Sequence, residues 1–198
     1  MVHQSQFIEM FGGSEANKSK VGDVCKIVAG KTVPLDIENE GGPIAYLKVA
    51  DMNLPENERV ITTSSRFVSE QTAQMSGILP KGSTVFPKNG AAAMQNKKRI
   101  TSVLTCVDMN TMGVFSVSEK LDPEFLFAFL EHQNLAGLTL VGAIPQIRAK
   151  DVAKLDIPVP SISAQKKYIG IVHQADKSKF ELKQAIEKID KVMRALMQ

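Results

Sequence analysis

Proline stops at Pro160 and does not return in the last 38 residues of this 198-residue chain, where glycine occurs once, at Gly170. The residues that most readily break a helix are therefore almost absent from that stretch. Acidic side chains are missing between Glu70 and Asp108, a segment that holds Lys81, Lys88, Lys97, Lys98 and Arg99. Such a strip fits either a polyanion-binding surface or a solvated face. Long apolar runs are missing too. None approaches the roughly 18–20 residues needed to cross a bilayer, and no signal peptide opens the chain. Cysteine occurs only at Cys25 and Cys106, far apart and in apolar strand-like runs. These absences predict a reduced, cytoplasmic protein with buried free thiols and no membrane association.

Catalytic signatures are also lacking. The chain has no Gly-x-x-x-x-Gly-Lys-Ser/Thr phosphate loop, no Gly-x-Gly-x-x-Gly fingerprint and no Gly-x-Ser-x-Gly elbow. It has no Asn/Asp-Pro-Pro-aromatic methylation motif. His3, His132 and His173 lie in separate segments, and neither cysteine has a second ligand at finger spacing, so no metal site is expected. His173 reads as a solvated helix residue, and His132 as a helix-dipole partner or an exposed side chain. Glu181-Leu182-Lys183 matches the Glu-x-Lys half of a nuclease metal site, but those charges flank an apolar stripe and read as solvated. The inventory predicts a chain that is not an enzyme by itself, with no catalytic residues and no cofactor of its own.

What is present is a heptad. Tyr168, Val172, Ala175, Leu182, Ile186, Ile189, Met193 and Leu196 recur at alternating four- and three-residue steps, with Lys179 in the one polar position of the series. A helix over 161–197 would be roughly 50 Å long at about 1.5 Å per residue. It could pair with another helix or fold back on its own globule. In a seam, Lys179 would weaken packing slightly and could fix register, or could snorkel outward. Ser161–Gln198 holds eight Lys/Arg and four Asp/Glu, so it carries +4 of the net +3 and the remainder is near −1.

Upstream, residues 5–11 predict a short apolar helix and 14–20 a polar link. Short strands are expected at Val24–Val28, Ile44–Val49, Arg59–Thr62, Thr84–Phe86, Ile100–Val107 and Gly113–Val117, punctuated by Gly, Pro and Asn. Asn89-Gly90 suits a hairpin turn. Asp122-Pro123 should cap a helix over 122–133, with Phe125, Leu126, Phe129 and Leu130 on one face. A short helix near 149–154 and a strand Leu155–Pro160 precede the long helix. Strands come first and helices later: an α+β globule over 1–160, followed by a long C-terminal helix over 161–198.

Several pieces resemble the type I restriction–modification specificity family, in the form of one target recognition domain followed by a conserved helical region. They are Gly22-Asp23-Val24 to Gly30-Lys31-Thr32, Ile44 to Asp51, Leu79-Pro80-Lys81-Gly82-Ser83-Thr84-Val85, Asp122 to Phe127, Ile144-Pro145-Gln146-Ile147, and Leu155-Asp156-Ile157-Pro158-Val159-Pro160 to Gln165. Two places depart from the family pattern. Val33 intervenes before Pro34, and the entry to the long helix lacks a second proline and a glutamate. The length, and an opening Ser5-Gln6-Phe7-Ile8-Glu9-Met10-Phe11-Gly12 that is similar to the family's inter-domain junction, resemble a C-terminal half, either a natural half-subunit or a fragment.

The resemblance implies sequence-specific recognition of double-stranded DNA within a bacterial defence complex. It implies two partners: a methyltransferase modification subunit using S-adenosylmethionine, docking from Pro160 onward, and a restriction subunit using ATP and magnesium. It further implies a homodimer, with two copies of the helix paired as an antiparallel coiled coil through Val172, Ala175, Lys179, Leu182, Ile186, Ile189, Met193 and Leu196. Such a dimer would read an inverted repeat across a fixed gap. Within that frame Lys97, Lys98 and Arg99 are expected phosphate contacts. Lys88, Asn89, Gln146 and Arg148 are candidates for base edges, since Asn or Gln suits adenine and Arg or Lys suits guanine. Lys31 is a further candidate. Asn89 could equally serve its turn, and Gln146 could cap one. Two alternatives remain at this level: a DNA-binding module of another complex, and an interaction module using the helix as an assembly rod.

Overall fold

The computed structural model describes residues 2–13, 18–38, 41–139 and 145–196. Part of the expected polar link (14–17), Ile144 and the last residue of the expected long helix lie outside the described residues.

Short elements alternate along the chain. The first are α1 (Val2–Phe11), β1 (Lys18–Lys20), α2 (Val21–Val24), β2 (Cys25–Ala29) and β3 (Ile44–Leu47). Next come β4 (Val60–Ile61), β5 (Phe67–Val68), α3 (Glu70–Ser76), β6 (Ile78–Leu79), β7 (Thr84–Pro87) and α4 (Gly90–Met94). Then follow β8 (Arg99–Thr101), β9 (Thr105–Val107), β10 (Thr111–Ser116), α5 (Pro123–His132), α6 (Ala149–Val152), β11 (Asp156–Pro158) and α7 (Ile162–Leu196). The fold is α+β, with a globule of short strands and helices followed by one long helix. Helices are interspersed among the strands, where the sequence reading placed them later.

A five-stranded sheet has the order β2-β10-β7-β8-β4, and a four-stranded sheet the order β5-β3-β9-β6. Side chains alternate between faces along a strand. Phe86, Met112 and Val114 accordingly join the helical core, while Val85 joins Ile61, Leu47, Leu79 and Val107 between the two sheets. The five-stranded sheet is thus the middle of three layers, and its central strands β7 and β10 are buried on both faces along most of their length. Such strands read as continuous apolar runs, which is why they were visible in the sequence.

The helix at Asp122-Pro123 forms as expected. Asp122 accepts from the Glu124 amide at 2.9 Å, and proline occupies the first turn, where no donor is needed. Its apolar residues pack with Phe7 and Phe11 of α1 around Tyr168 of α7. Tyr168 is fully buried, with ring centroids 5.3 Å from Phe7, 5.7 Å from Phe11 and 6.0 Å from Phe125. His132 is neither exposed nor only a dipole partner: its Nε2 lies 3.1 Å from the Tyr168 hydroxyl, and its ring packs on Phe7. His173 is largely exposed, yet it meets Glu124 at 2.7 Å.

Other expectations change. Residues 18–20 are a strand paired to β11, with Lys20 and Asp156 bonded at 2.6 Å. That partner lies far along the chain, so local polarity gave no sign of it. The expected strand 100–107 is two strands in two sheets. Ser102 donates its amide and its hydroxyl to Ile61 O, which holds β8 to β4, and the chain then crosses over. Asn89-Gly90 is a strand-to-helix turn, not a hairpin: Gly90 has φ +65° and starts α4. Both cysteines are free and buried, as expected.

Candidate nucleic-acid interface

The pairings fix which loops meet. β2 runs antiparallel to β10, β10 to β7 and β7 to β8. So β2 and β7 end where β8 and β10 begin, and the segments after residues 29 and 87 and before 99 and 111 share one end of the sheet. That end collects Lys31 and Thr32, Lys88 and Asn89, Lys97 and Lys98, and Met109 and Asn110. Residues proposed from separate stretches of sequence are brought together by topology alone.

Two close approaches build the end. A Cβ on Gly30 would lie 2.1 Å from the Asp108 carbonyl oxygen, so only glycine lets the loop after β2 rest on the 107–110 turn. Thr32 then donates to the Met109 sulfur at 3.1 Å. On the other side, segment 145–148 is held against β7's end. Gly90 N donates to Pro145 O and Ile147 N to Lys88 O, both at 2.8 Å, and Asn89 and Gln146 form a backbone bridge.

Side-chain amides run across this surface. Gln146 Nε2 donates to Asn89 Oδ1 at 3.1 Å. Asn89 Nδ2 donates to Met109 O and to Asn110 Oδ1, each at 3.2 Å. Asn110 Nδ2 reaches the buried Asp108 carboxylate at 3.4 Å, and Thr111 Oγ1 donates to the same carboxylate at 2.7 Å. Gln146 is exposed, while Asn89 and Asn110 are half-buried. Thr32, Met109, Asn110 and Asp108 were missed by the sequence reading. The only local hint was a polar turn between two strand-like runs.

The basic cluster is not uniform. Lys98 is 4 % exposed, and its ammonium donates to Asn96 O at 3.1 Å, Asn96 Oδ1 at 2.9 Å and Gln133 O at 2.9 Å. Burial pushes its pKa down to about 8. Lys98 was expected to contact phosphate, but its ammonium is turned into the fold, where all three donors are satisfied. Arg99 donates to Asn57 O and Lys98 O at 2.7 and 2.8 Å, and burial lowers its pKa. Lys97 is half-buried and bonds the Asn53 side chain. Arg148 pairs with Asp151 at 2.6 Å, whose carboxyl is held low by that bond. Lys31 is exposed and Lys88 half-buried.

A second surface lies on α7. Val172, expected in an interface between chains, is 4 % exposed and belongs to this chain's own core, because α5 covers that turn of the helix. Ala175 is half-buried and Lys179 exposed. Leu182, Ile186, Ile189, Met193 and Leu196 are all more than half exposed, as are Phe180 and Val192 beside them. Where the helix leaves the globule, a groove of about 530 Å³ opens between β4, β8, α5 and α7, lined by Val60, Ile100, Phe127 and Ile169. Among the described residues no group of three or more His, Cys, Asp or Glu could hold a metal ion, and no helix is long and apolar enough to cross a membrane.

Residues 13–191 match the sequence model of the family described as type I restriction modification DNA specificity domain. No curated protein matches the chain. Among solved structures, it is similar to a chain from a study of complex assembly and conformational transition of the type I R-M system. That match has 17% identity and a TM-score of 0.76, and covers 98% of this chain and 48% of that one. The HsdS subunit from Thermoanaerobacter tengcongensis matches at 16% identity and a TM-score of 0.71, covering 93% and 44%. The S subunit of a type I restriction-modification system from M. genitalium matches at 13% identity and a TM-score of 0.62, covering 96% and 51%. The chain spans about half the length of the solved structures it matches.

Proposed function

The chain belongs to the type I restriction–modification DNA specificity family, and from that premise we propose that it reads double-stranded DNA with the end of its five-stranded sheet. The family supplies specificity, not catalysis. The observation that carries the assignment is the convergence of Lys31, Lys88, Asn89, Asn110 and Gln146 on one end of a rigid sheet. Cations there neutralise phosphates, and the exposed amide of Gln146, held by Asn89, offers a base-reading donor and acceptor. Lys31, Lys88 and Lys97 are the phosphate contacts, since Lys98 and Arg99 are engaged inside the fold.

The remaining parts follow from the helix. Two copies pair antiparallel through the exposed stripe of α7 beyond Ser178, a span of roughly 27 Å at about 1.5 Å per residue. The two sheet ends then face an inverted repeat, with a gap set by helix length. A methyltransferase subunit carrying S-adenosylmethionine docks on the helical region from Pro160 onward. A restriction subunit supplies ATP-driven, magnesium-dependent work. All of this takes place in the cytoplasm, where the DNA is.

The test is a salt titration of binding to double-stranded DNA. Changing Lys31, Lys88 and Lys97 together to Gln should weaken binding to all sequences and flatten the log–log salt slope by about 2–3, near 0.9 per lost contact. An unchanged affinity and slope would remove these lysines from the interface. Absence of DNA binding by the unaltered protein would remove the function.

A further inference from the structure

We infer that Gln146 reads one adenine in the target, and that Asn89, Asn110 and Asp108 are positioning residues that hold its amide the right way round; this rests on the DNA-reading function proposed above. The orientation of a side-chain amide is ambiguous only when its neighbours can both donate and accept. Here they cannot. Asn89 Nδ2 faces Met109 O, a backbone carbonyl that only accepts. Its second hydrogen goes to Asn110 Oδ1, and Asn110 is set the same way by the Asp108 carboxylate beyond it. Asn89 therefore turns its oxygen outward, and that oxygen takes a hydrogen from Gln146 Nε2.

One N–H and the Oε1 of Gln146 remain. Among the described residues Oε1 accepts no hydrogen bond, and the side chain is exposed. A donor and an acceptor side by side in one plane match adenine, whose N7 accepts and whose N6 amino group donates in the major groove. Guanine presents two acceptors there, so Oε1 would face O6 or N7 with no hydrogen between them. The backbone of Gln146 is fastened on both sides, through the bridge to Asn89 and through Ile147 N to Lys88 O. The reading pair is thus held in place before DNA arrives, which lowers the ordering cost of the contact.

The experiment is selection of double-stranded DNA from a randomised pool by the full chain, followed by sequencing. Variants Gln146→Ala, Gln146→Arg and Asn110→Ala are compared with the unaltered protein, with circular dichroism as a check on folding. The unaltered protein should enrich a sequence with one adenine that Gln146→Ala ceases to prefer, by about 10- to 100-fold, while other positions keep their preference. Asn110→Ala should relax the same position by a smaller factor. Gln146→Arg can still donate to Asn89 Oδ1 and should move the preference to guanine. An identical sequence selected by Gln146→Ala, or loss of a preference for another base, overturns the inference and leaves DNA recognition standing. Relaxation of every position by Asn110→Ala overturns the positioning role. Failure of the unaltered protein to enrich any sequence overturns the recognition function, and this inference with it.

Discussion

Helix α7 carries one heptad pattern along two stretches that meet opposite surroundings. Between Ile162 and Asp176 it is part of the core. Gln165 is buried and accepts from the Asp122 amide at 2.8 Å, while donating to Lys120 O at 2.7 Å and Pro160 O at 2.8 Å. Tyr168 closes the aromatic cluster, and Asp176 meets Arg59 at 2.9 Å. From Lys179 to Leu196 every residue is exposed, including Ile186, Ile189 and Met193. The same spacing therefore serves an anchor in the first stretch and an uncovered stripe in the second. An apolar stripe states that a face is to be covered; it does not state by what.

The comparison breaks most sharply at the anchor. Tyr168→Ala should cost about 3–5 kcal/mol, the range for removing a large buried ring, read from the denaturant midpoint. A cost under about 1 kcal/mol would mean that the first stretch is not core.

Alkaline pH should act on the globule through its buried thiols and phenols. Burial raises Cys25 and Cys106 from 9.0, and Tyr46 and Tyr168 from 10.0, each to about 12. Above pH 9 the unfolded chain releases these protons while the fold keeps them, so stability falls as pH rises. Lys98 acts in the opposite sense, because its ordinary 10.5 is lowered to about 8, and it adds stability between those values. Four groups outweigh one, and the denaturation midpoint should fall steadily from pH 9 toward 12. A rising midpoint over that window would mean that the thiols and phenols are solvated.

The smallest effect on the domain should come from the distal stretch. Ile186→Asp with Ile189→Asp should change the stability of the dilute protein by no more than about 0.5 kcal/mol, the usual range for exposed sites. The same pair should reduce a dimeric mass to a monomeric one in light scattering at micromolar concentration. An unaltered protein that is already monomeric would end the symmetric-target mechanism and leave the fold as described.

Much of this could be read locally. The Asp122-Pro123 helix start, the long proline-free helix and the central strands β7 and β10 carry their reasons within a few residues. The polar turn residues Lys88 and Asn89 were visible as candidates, as was Gln146. The exceptions share one cause. Lys98 looked like any surface lysine until Gln133, 35 residues on, supplied an acceptor. Val172 looked like Ile186 until α5 covered it. Asp108 and Asn110 looked like an ordinary turn until Asn89 reached them across the sheet end.

By itself the sequence determined that the globule would hold both strands and helices, that a long helix would follow it, and that this helix's apolar face would need a partner. Periodicity, caps and turn residues act over a few positions, and those free energies exist in the local chain. Only the tertiary structure decided which cations are buried, where along α7 the core ends, and that Asn89 meets Gln146 from 57 residues away. Those outcomes depend on strand order and on which surfaces arrive opposite one another, and no single stretch of the chain holds that information.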